Sequence, residues 1–252
     1  MTRWIIGWML VLAVTPAIAE PVRVAVASNF LAPLERIADA YAAQGGPALR
    51  ISAGATGQHY AQIVNGAPYD VFLAADQARP ERLVAEGYAR PESRFSYAVG
   101  RLVLWAGAKA SLPDNGLAGL AGHPLRRLAI ANPELAPYGQ AARQALDATG
   151  QWSALSDDII QGQNVGQAFQ YLATGNVSHA LVAASYTRLD NAPDGDWVAV
   201  DARLHDPVRQ DAIILEQAPN PEGARRFVEF LQGPVAGEIL TRFGYQTAVP
   251  RS

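Results

Sequence analysis

With 252 residues, half of them apolar, the chain can bury a sizeable core in one domain or two interlinked lobes. Its 20 Lys and Arg against 23 Asp and Glu leave a formal net charge of −3 and no basic tract, which gives no footing for nucleic acid or an anionic membrane surface. Cysteine is absent, and with it any disulfide framework, thiolate metal site or cysteine nucleophile.

The chain begins with Arg3, an apolar stretch from Trp4 to Val14 and the small-residue sequence Ala17-Ile18-Ala19 before Glu20, the pattern of a cleavable signal peptide. Residues 1–19 are therefore excluded from the fold, and an exported, periplasmic mature chain without a lipid anchor is expected. Val22 to Ala27 then reads as a short buried strand, and Leu34, Ile37, Ala38 and Tyr41 fall on one helical face. Ser28 and Asn29, at the join, are strong N-cap types, with Pro33 in the first turn, so the helix is placed from there. A helix start beyond the carboxyl end of a strand aims free N–H groups and a positive dipole end at one spot, which suits an anion. Capping of the helix alone accounts for the same two residues and is the commoner reason for them at a single strand-to-helix join.

A second strand (Ala48 to Ser52) leads through the Gly-rich turn Ala53 to Gly57 into a helix over Gln58 to Val64. That turn lacks the Lys-Ser/Thr that closes a phosphate loop, leaving backbone N–H groups and the Thr56 hydroxyl. Tyr69 to Ala74 reads as a third strand with Ala75-Asp76 beyond its end, and Pro80 to Gly87 as a short helix. Phe95 to Ala106 is a longer β-prone run containing Gly100, able to carry the chain between lobes, and Leu112 to Pro124 reads as loop. A second alternating set follows: a strand at Arg127 to Ala131, a loop at Asn132 to Gly139, a helix over Gln140 to Thr149, a strand from Ile159, and a helix over Gln167 to Ala173. Leu181 to Ala184, Trp197 to Val200 and Gln210 to Leu215 are further β runs, Arg188 to Asp196 a surface loop, and helices over Pro221 to Gln232 and Pro234 to Phe243 close the chain. Strand-helix alternation before and after Gly100 predicts two α/β lobes with a ligand cleft between them.

Catalytic chemistry finds little support. His59, His123, His179 and His205 lie far apart without metal-ligand spacing, no G-x-S-x-G elbow is present, and Asp70, Asp76, Asp157 and Asp158 read as caps, loop residues or surface charges. An exported hydrolase using Ser28 remains as an alternative, but no base for it can be named.

Four stretches, ASNF at 27–30, the run from GATG at 54–57 through NGAP to Val71-Phe72, NPELAPYG at 132–139 and NVGQA at 164–168, together resemble the periplasmic molybdate-binding proteins, the substrate-binding components of molybdate ABC transporters. The resemblance covers essentially the whole mature chain. It implies a type II periplasmic binding protein fold, with lobe 1 at residues 20–100 and 207–252, lobe 2 at 101–206, and one molybdate or tungstate oxyanion held between them. It further implies a membrane permease as partner, no cofactor and no free metal ion; a monomer without enzymatic activity is expected. Carried over by position, Ser28 and Asn29 would supply hydroxyl and backbone N–H donors, Thr56 a hydroxyl, Tyr138 its phenol and Val165 its backbone N–H. Ala75 matches a backbone donor of some members. Another branch uses a tyrosine on the strand that here carries Ala183, so the phenol is assigned to Tyr138. Sites rich in backbone donors also suit sulfate or phosphate, and the choice of molybdate rests on the resemblance.

Overall fold

A computed structural model of the chain describes residues 20–246; the expected signal peptide lies outside the described residues. In chain order the strands are β1 (Val22–Ala27), β2 (Leu49–Gly54), β3 (Val71–Leu73), β4 (Phe95–Gly100), β5 (Leu102–Gly107), β6 (Leu128–Ala131), β7 (Ile159–Gly162), β8 (His179–Ala183), β9 (Gly195–Ala199) and β10 (Val208–Ile214). They form two five-stranded sheets, ordered β2-β1-β3-β10-β4 and β7-β6-β8-β5-β9. The helices are α1 (Leu31–Ala43), α2 (Thr56–Val64), α3 (Ala78–Ala85), α4 (Pro137–Ala148), α5 (Trp152–Leu155), α6 (Val165–Ala173), α7 (Pro221–Gln232) and α8 (Pro234–Arg242).

β1 pairs in parallel with both β2 and β3 and is covered on both faces, which is why its sequence is a nearly continuous apolar run. Val22, Val24 and Val26 pack with Leu34 and Ile37 of α1, Phe227 of α7 and Leu240 of α8. Ala25 lies on the opposite face with Ile63, Phe72 and Leu83, under α2 and α3. Asp70, read as a cap, loop or surface residue, is fully buried: its carboxylate accepts the Arg23 N–H at 2.7 Å and the Asn220 N–H at 2.5 Å, tying β1 to the start of α7. Its role is to satisfy backbone donors that would otherwise be orphaned in the core.

The β-prone run from Phe95 to Ala106 divides at Arg101. Its first half, β4, pairs with β10 as far as Gly100↔Val208, and its second half, β5, enters the other sheet against β8 from Leu102↔Ala183. The chain returns between the end of β9 at Ala199 and the start of β10 at Val208, so two short crossings join the sheets. The second sheet packs Leu104 and Trp105 against Phe169 of α6 and Leu146 of α4. Ala27, Ala55 and Ala75, at or just beyond the carboxyl ends of β1, β2 and β3, belong to this second core rather than to the first. Small side chains at those three ends let the sheets approach closely.

Helix starts differ from the sequence reading in an instructive way. Ser28–Phe30 forms a single 3-10 turn, α1 begins at Leu31, and neither Ser28 nor Asn29 caps it with a side chain. α2 begins at Thr56, two residues before the expected start, and α4 at Pro137, three residues before, with Pro137 in the position where a missing N–H is harmless. Thr56 and Tyr138 are thereby first-turn residues of helices. Within the stretch read as loop, Gly116–Gly122 is 3-10, and Trp152–Leu155 adds a turn of helix that the sequence pattern did not signal.

Candidate functional site

Ser28, Asn29, Thr56, Ala75, Tyr138 and Val165 all line one small pocket between the two sheets, together with Asn164 and a wall of alanine, glycine and proline. Among the described residues, no charged side chain lines it. Its volume is about 10 Å³, about one water-sized sphere, so the two sides stand nearly in contact. Three helices start there, α2 from the first sheet and α4 and α6 from the second, joined by the 3-10 turn at Ser28. The first N–H groups of a helix have no partner within it, and the dipole leaves positive charge at that end; several such starts aimed at one point make an anion site without any cationic side chain.

The hydroxyls are positioned by bonds that fix which atom donates. Ser28 Oγ accepts the Gly166 N–H from α6 at 3.1 Å, across the cleft, which leaves its own proton to be given elsewhere. Thr56 Oγ1 accepts the Ala75 N–H at 3.1 Å, so Ala75, itself part of the pocket lining, acts on the hydroxyl of Thr56. Val165 opens α6, and the Asn164 side chain caps that helix by accepting the Gln167 N–H at 3.0 Å. Tyr138 is buried, and desolvation holds its phenol well above the ordinary range, so it remains protonated at any physiological pH.

The Asn29 side chain turns away from the pocket. Its Nδ2 donates to Gln210 Oε1 and to Tyr245 Oη, each at 2.9 Å, and lies within the first sheet's buried interior. Its Nδ2 is committed to that network while its Oδ1 is buried without a partner, which leaves the backbone N–H as its donor to a ligand. Two residues escaped the sequence reading: Asn164, whose cap signal was visible in the motif, and Tyr186. Tyr186 follows β8, stacks on Phe169 with ring centroids 4.4 Å apart, and donates its hydroxyl to the Ser28 carbonyl at 3.1 Å. Ser185 donates to the Asn29 carbonyl at 2.9 Å. No sequence pattern announces either contact, because both join residues more than 150 positions apart.

The other titratable groups lie outside the pocket lining. His59 meets the Val26 carbonyl and Gln62, while His123 and His179 both meet the Ser111 carbonyl. Asp76 pairs with Arg79, and burial pushes its carboxyl above the usual range against that pairing. Asp157 and Asp158 are exposed.

The pattern of a bacterial extracellular solute-binding protein matches residues 22–246, nearly the whole of the described chain. The chain belongs to this solute-binding family. It is 40% identical to a protein of Azotobacter vinelandii named molybdate-binding protein ModA, over 97% of each chain. A Rhodobacter capsulatus protein of the same name is 38% identical, over 92% of this chain and 90% of its own. The solved structure of the Azotobacter vinelandii periplasmic molybdate-binding protein superposes with a TM-score of 0.85, covering 91% of this chain and all of that one.

The solute-binding fold is closed around the pocket. Gly57 N–H donates to the Leu135 carbonyl at 2.9 Å, joining α2 to the loop before α4. Around the rim, Gln58 bonds Gln163 at 2.9 Å, Arg79 reaches the Glu134 carbonyl at 3.1 Å, and Arg36 pairs with Asp190 at 2.8 Å. Each of these contacts links one sheet's side of the cleft to the other's.

Proposed function

We propose that this chain captures molybdate in the periplasm and delivers it to the membrane permease of an ABC transporter, binding without turnover. The observation that carries this reading is the convergence of Ser28, Asn29, Thr56, Tyr138 and Val165 on one pocket whose lining is neutral throughout. Hydroxyls and backbone N–H groups aimed at an oxyanion make charge-assisted bonds with no countercharge needed. The relatives named as molybdate-binding proteins support the choice among oxyanions. Tungstate, with the same charge and shape, is a second ligand of the same site.

In this reading lobe 1 comprises residues 20–100 and 207–252 and lobe 2 residues 101–206, and the mature monomer begins at Glu20 after export. Ser28 and Thr56 approach the anion from lobe 1, Tyr138 and Val165 from lobe 2. Only the closed form completes the set, so the ligand shifts the population toward it. Ala75 contributes by holding the Thr56 hydroxyl.

Equilibrium titration of the mature protein with molybdate, tungstate, sulfate and phosphate tests the assignment. Molybdate and tungstate should bind alike and well ahead of the other two, with a smaller solution-scattering radius once bound. Comparable affinity for sulfate would overturn the choice of molybdate; a phosphoester turned over by the protein and spared by Ser28→Ala would overturn binding without turnover altogether.

A further inference from the structure

Behind the pocket, where the chain crosses between the sheets, lies a chain of buried polar side chains. Gln210, on β10 two residues past the return crossing, is fully buried, and its Oε1 receives the Asn29 Nδ2 at 2.9 Å and the Tyr97 hydroxyl at 3.1 Å. Its Nε2 is directed at Tyr138 Oη, 3.5 Å away. Turning the Gln210 amide over would set its Nε2 against the Asn29 Nδ2, donor against donor. With the two amides placed this way, the Tyr138 oxygen meets a donor on its inner side, which leaves its own proton to be given outward, into the pocket. Tyr245, the neighbouring phenol, is already engaged, receiving the Asn29 Nδ2 and donating to the Asn29 carbonyl.

Gly100 makes this meeting physically possible. A Cβ on Gly100 would overlap the Tyr138 hydroxyl and lie 2.7 Å from Gln210 Nε2. Its backbone is ordinary extended strand, so the glycine is required there for space. We propose that Gln210 and Gly100 are positioning residues of the anion site: they seat the Tyr138 phenol at the crossing between lobes and orient it as a donor, which favours fully deprotonated oxyanions over those that carry a proton. An oxygen that keeps its proton needs an acceptor, and an oriented Tyr138 offers none.

This inference rests on the proposed anion site, and a double-mutant cycle on the mature protein separates the two. In calorimetric titration with molybdate, Tyr138→Phe should weaken binding roughly tenfold to a hundredfold, as for loss of a hydrogen bond to a charged group. Gln210→Met, similar in length and unable to donate, should weaken it several-fold, and the double variant should bind no worse than Tyr138→Phe alone. Gln210→Met should also narrow the preference for molybdate over phosphate, which keeps a proton at neutral pH, because the released phenol can turn to accept. Additive losses with an unchanged preference would overturn the positioning role. Should Gln210→Met fail to fold, Gly100→Ala supplies the test: it keeps every polar group and displaces the phenol, so it should reproduce the Tyr138→Phe loss, and an affinity equal to that of the unmodified protein would refute the proposal. If the unmodified protein does not bind molybdate, the functional reading falls, while the same cycle run with whichever of the four anions binds still decides the role of Gln210.

Discussion

Two corners of the molecule look alike in sequence and are built differently. At the end of β1 the chain turns through Ser28-Asn29 into α1; at the end of β7 it turns through Gln163-Asn164 into α6. Both offer polar residues of the capping type directly after a strand. Asn164 does cap, its side chain receiving the Gln167 N–H. Ser28 and Asn29 do not: a 3-10 turn intervenes, the Ser28 hydroxyl faces Gly166 across the cleft, and the Asn29 amide is drawn into the interior by Gln210 and Tyr245. The two corners meet through that Ser28–Gly166 bond, one giving a backbone N–H and the other accepting it on a side-chain hydroxyl that keeps its own proton free to donate. A cap residue spends its oxygen on its own helix; a residue released from capping can serve the ligand or the other lobe.

That distinction is open to attack by substitution. The largest effect is expected from Ser28→Ala, which removes a donor to the anion and should lower molybdate affinity by about 1.5 to 3 kcal/mol while leaving the melting temperature nearly unchanged. A loss in stability with affinity preserved would make Ser28 a cap after all. Next comes Asn29→Ala, which takes a buried partner from Gln210 and Tyr245. It should destabilise the fold by about 1 to 3 kcal/mol in urea unfolding, since buried polar groups are left unpaired. Asn164→Ala should cost about 1 kcal/mol of stability, the usual value of a helix cap, and its effect on unfolding should be smaller than that of Asn29→Ala. If the order is reversed, the two corners have been assigned the wrong way round.

A change of pH sharpens the comparison further, because His59 supports only the first corner. Its Nε2 meets the Val26 carbonyl at 3.1 Å, one residue before β1 ends, and burial holds its imidazole below the ordinary value of 6.5. Because the folded state binds the proton less readily than the unfolded one, this contribution is complete above pH 6.5. It is lost as the pH falls below 6.5 toward the depressed folded value. Stability should thus decline on mild acidification, and His59→Gln should flatten part of that slope; His179, also depressed by burial, accounts for a further part. A slope unaffected by His59→Gln would remove His59 from this account. The smallest effect is expected at the rim. The Arg36–Asp190 pair is exposed on both sides, so Arg36→Ala should change affinity by less than about 1 kcal/mol, and less still in high salt. Abolished binding in this variant would break the neutral-donor model.

Much of the fold was legible because its signals are local. The run Val22, Val24, Val26 with Ala25 and Ala27 required a strand buried on both sides, and the spacing of Leu34, Ile37 and Tyr41 required a helix to cover it. Repetition of that unit on either side of Gly100 implied two α/β lobes, and the residues just beyond strand ends were the ones to suspect. What the pattern misread was also local in origin: Asn132 to Gly139 is rich in turn formers, so the helix start at Pro137 was hidden inside an apparent loop. Tyr138 was found through its motif rather than through any periodicity.

By itself, then, the sequence determined which segments alternate, which faces are apolar and which neutral donors follow the strands, since these depend on residues a few positions apart. Tertiary structure alone decided how those donors are spent. The partners of Ser28 and Asn29 include Gly166, Ser185, Tyr186, Gln210 and Tyr245, all more than 130 positions away. A hydroxyl or amide can cap its own helix or bond across a cleft with similar energy, and which occurs depends on what the folded chain brings within 3 Å of it.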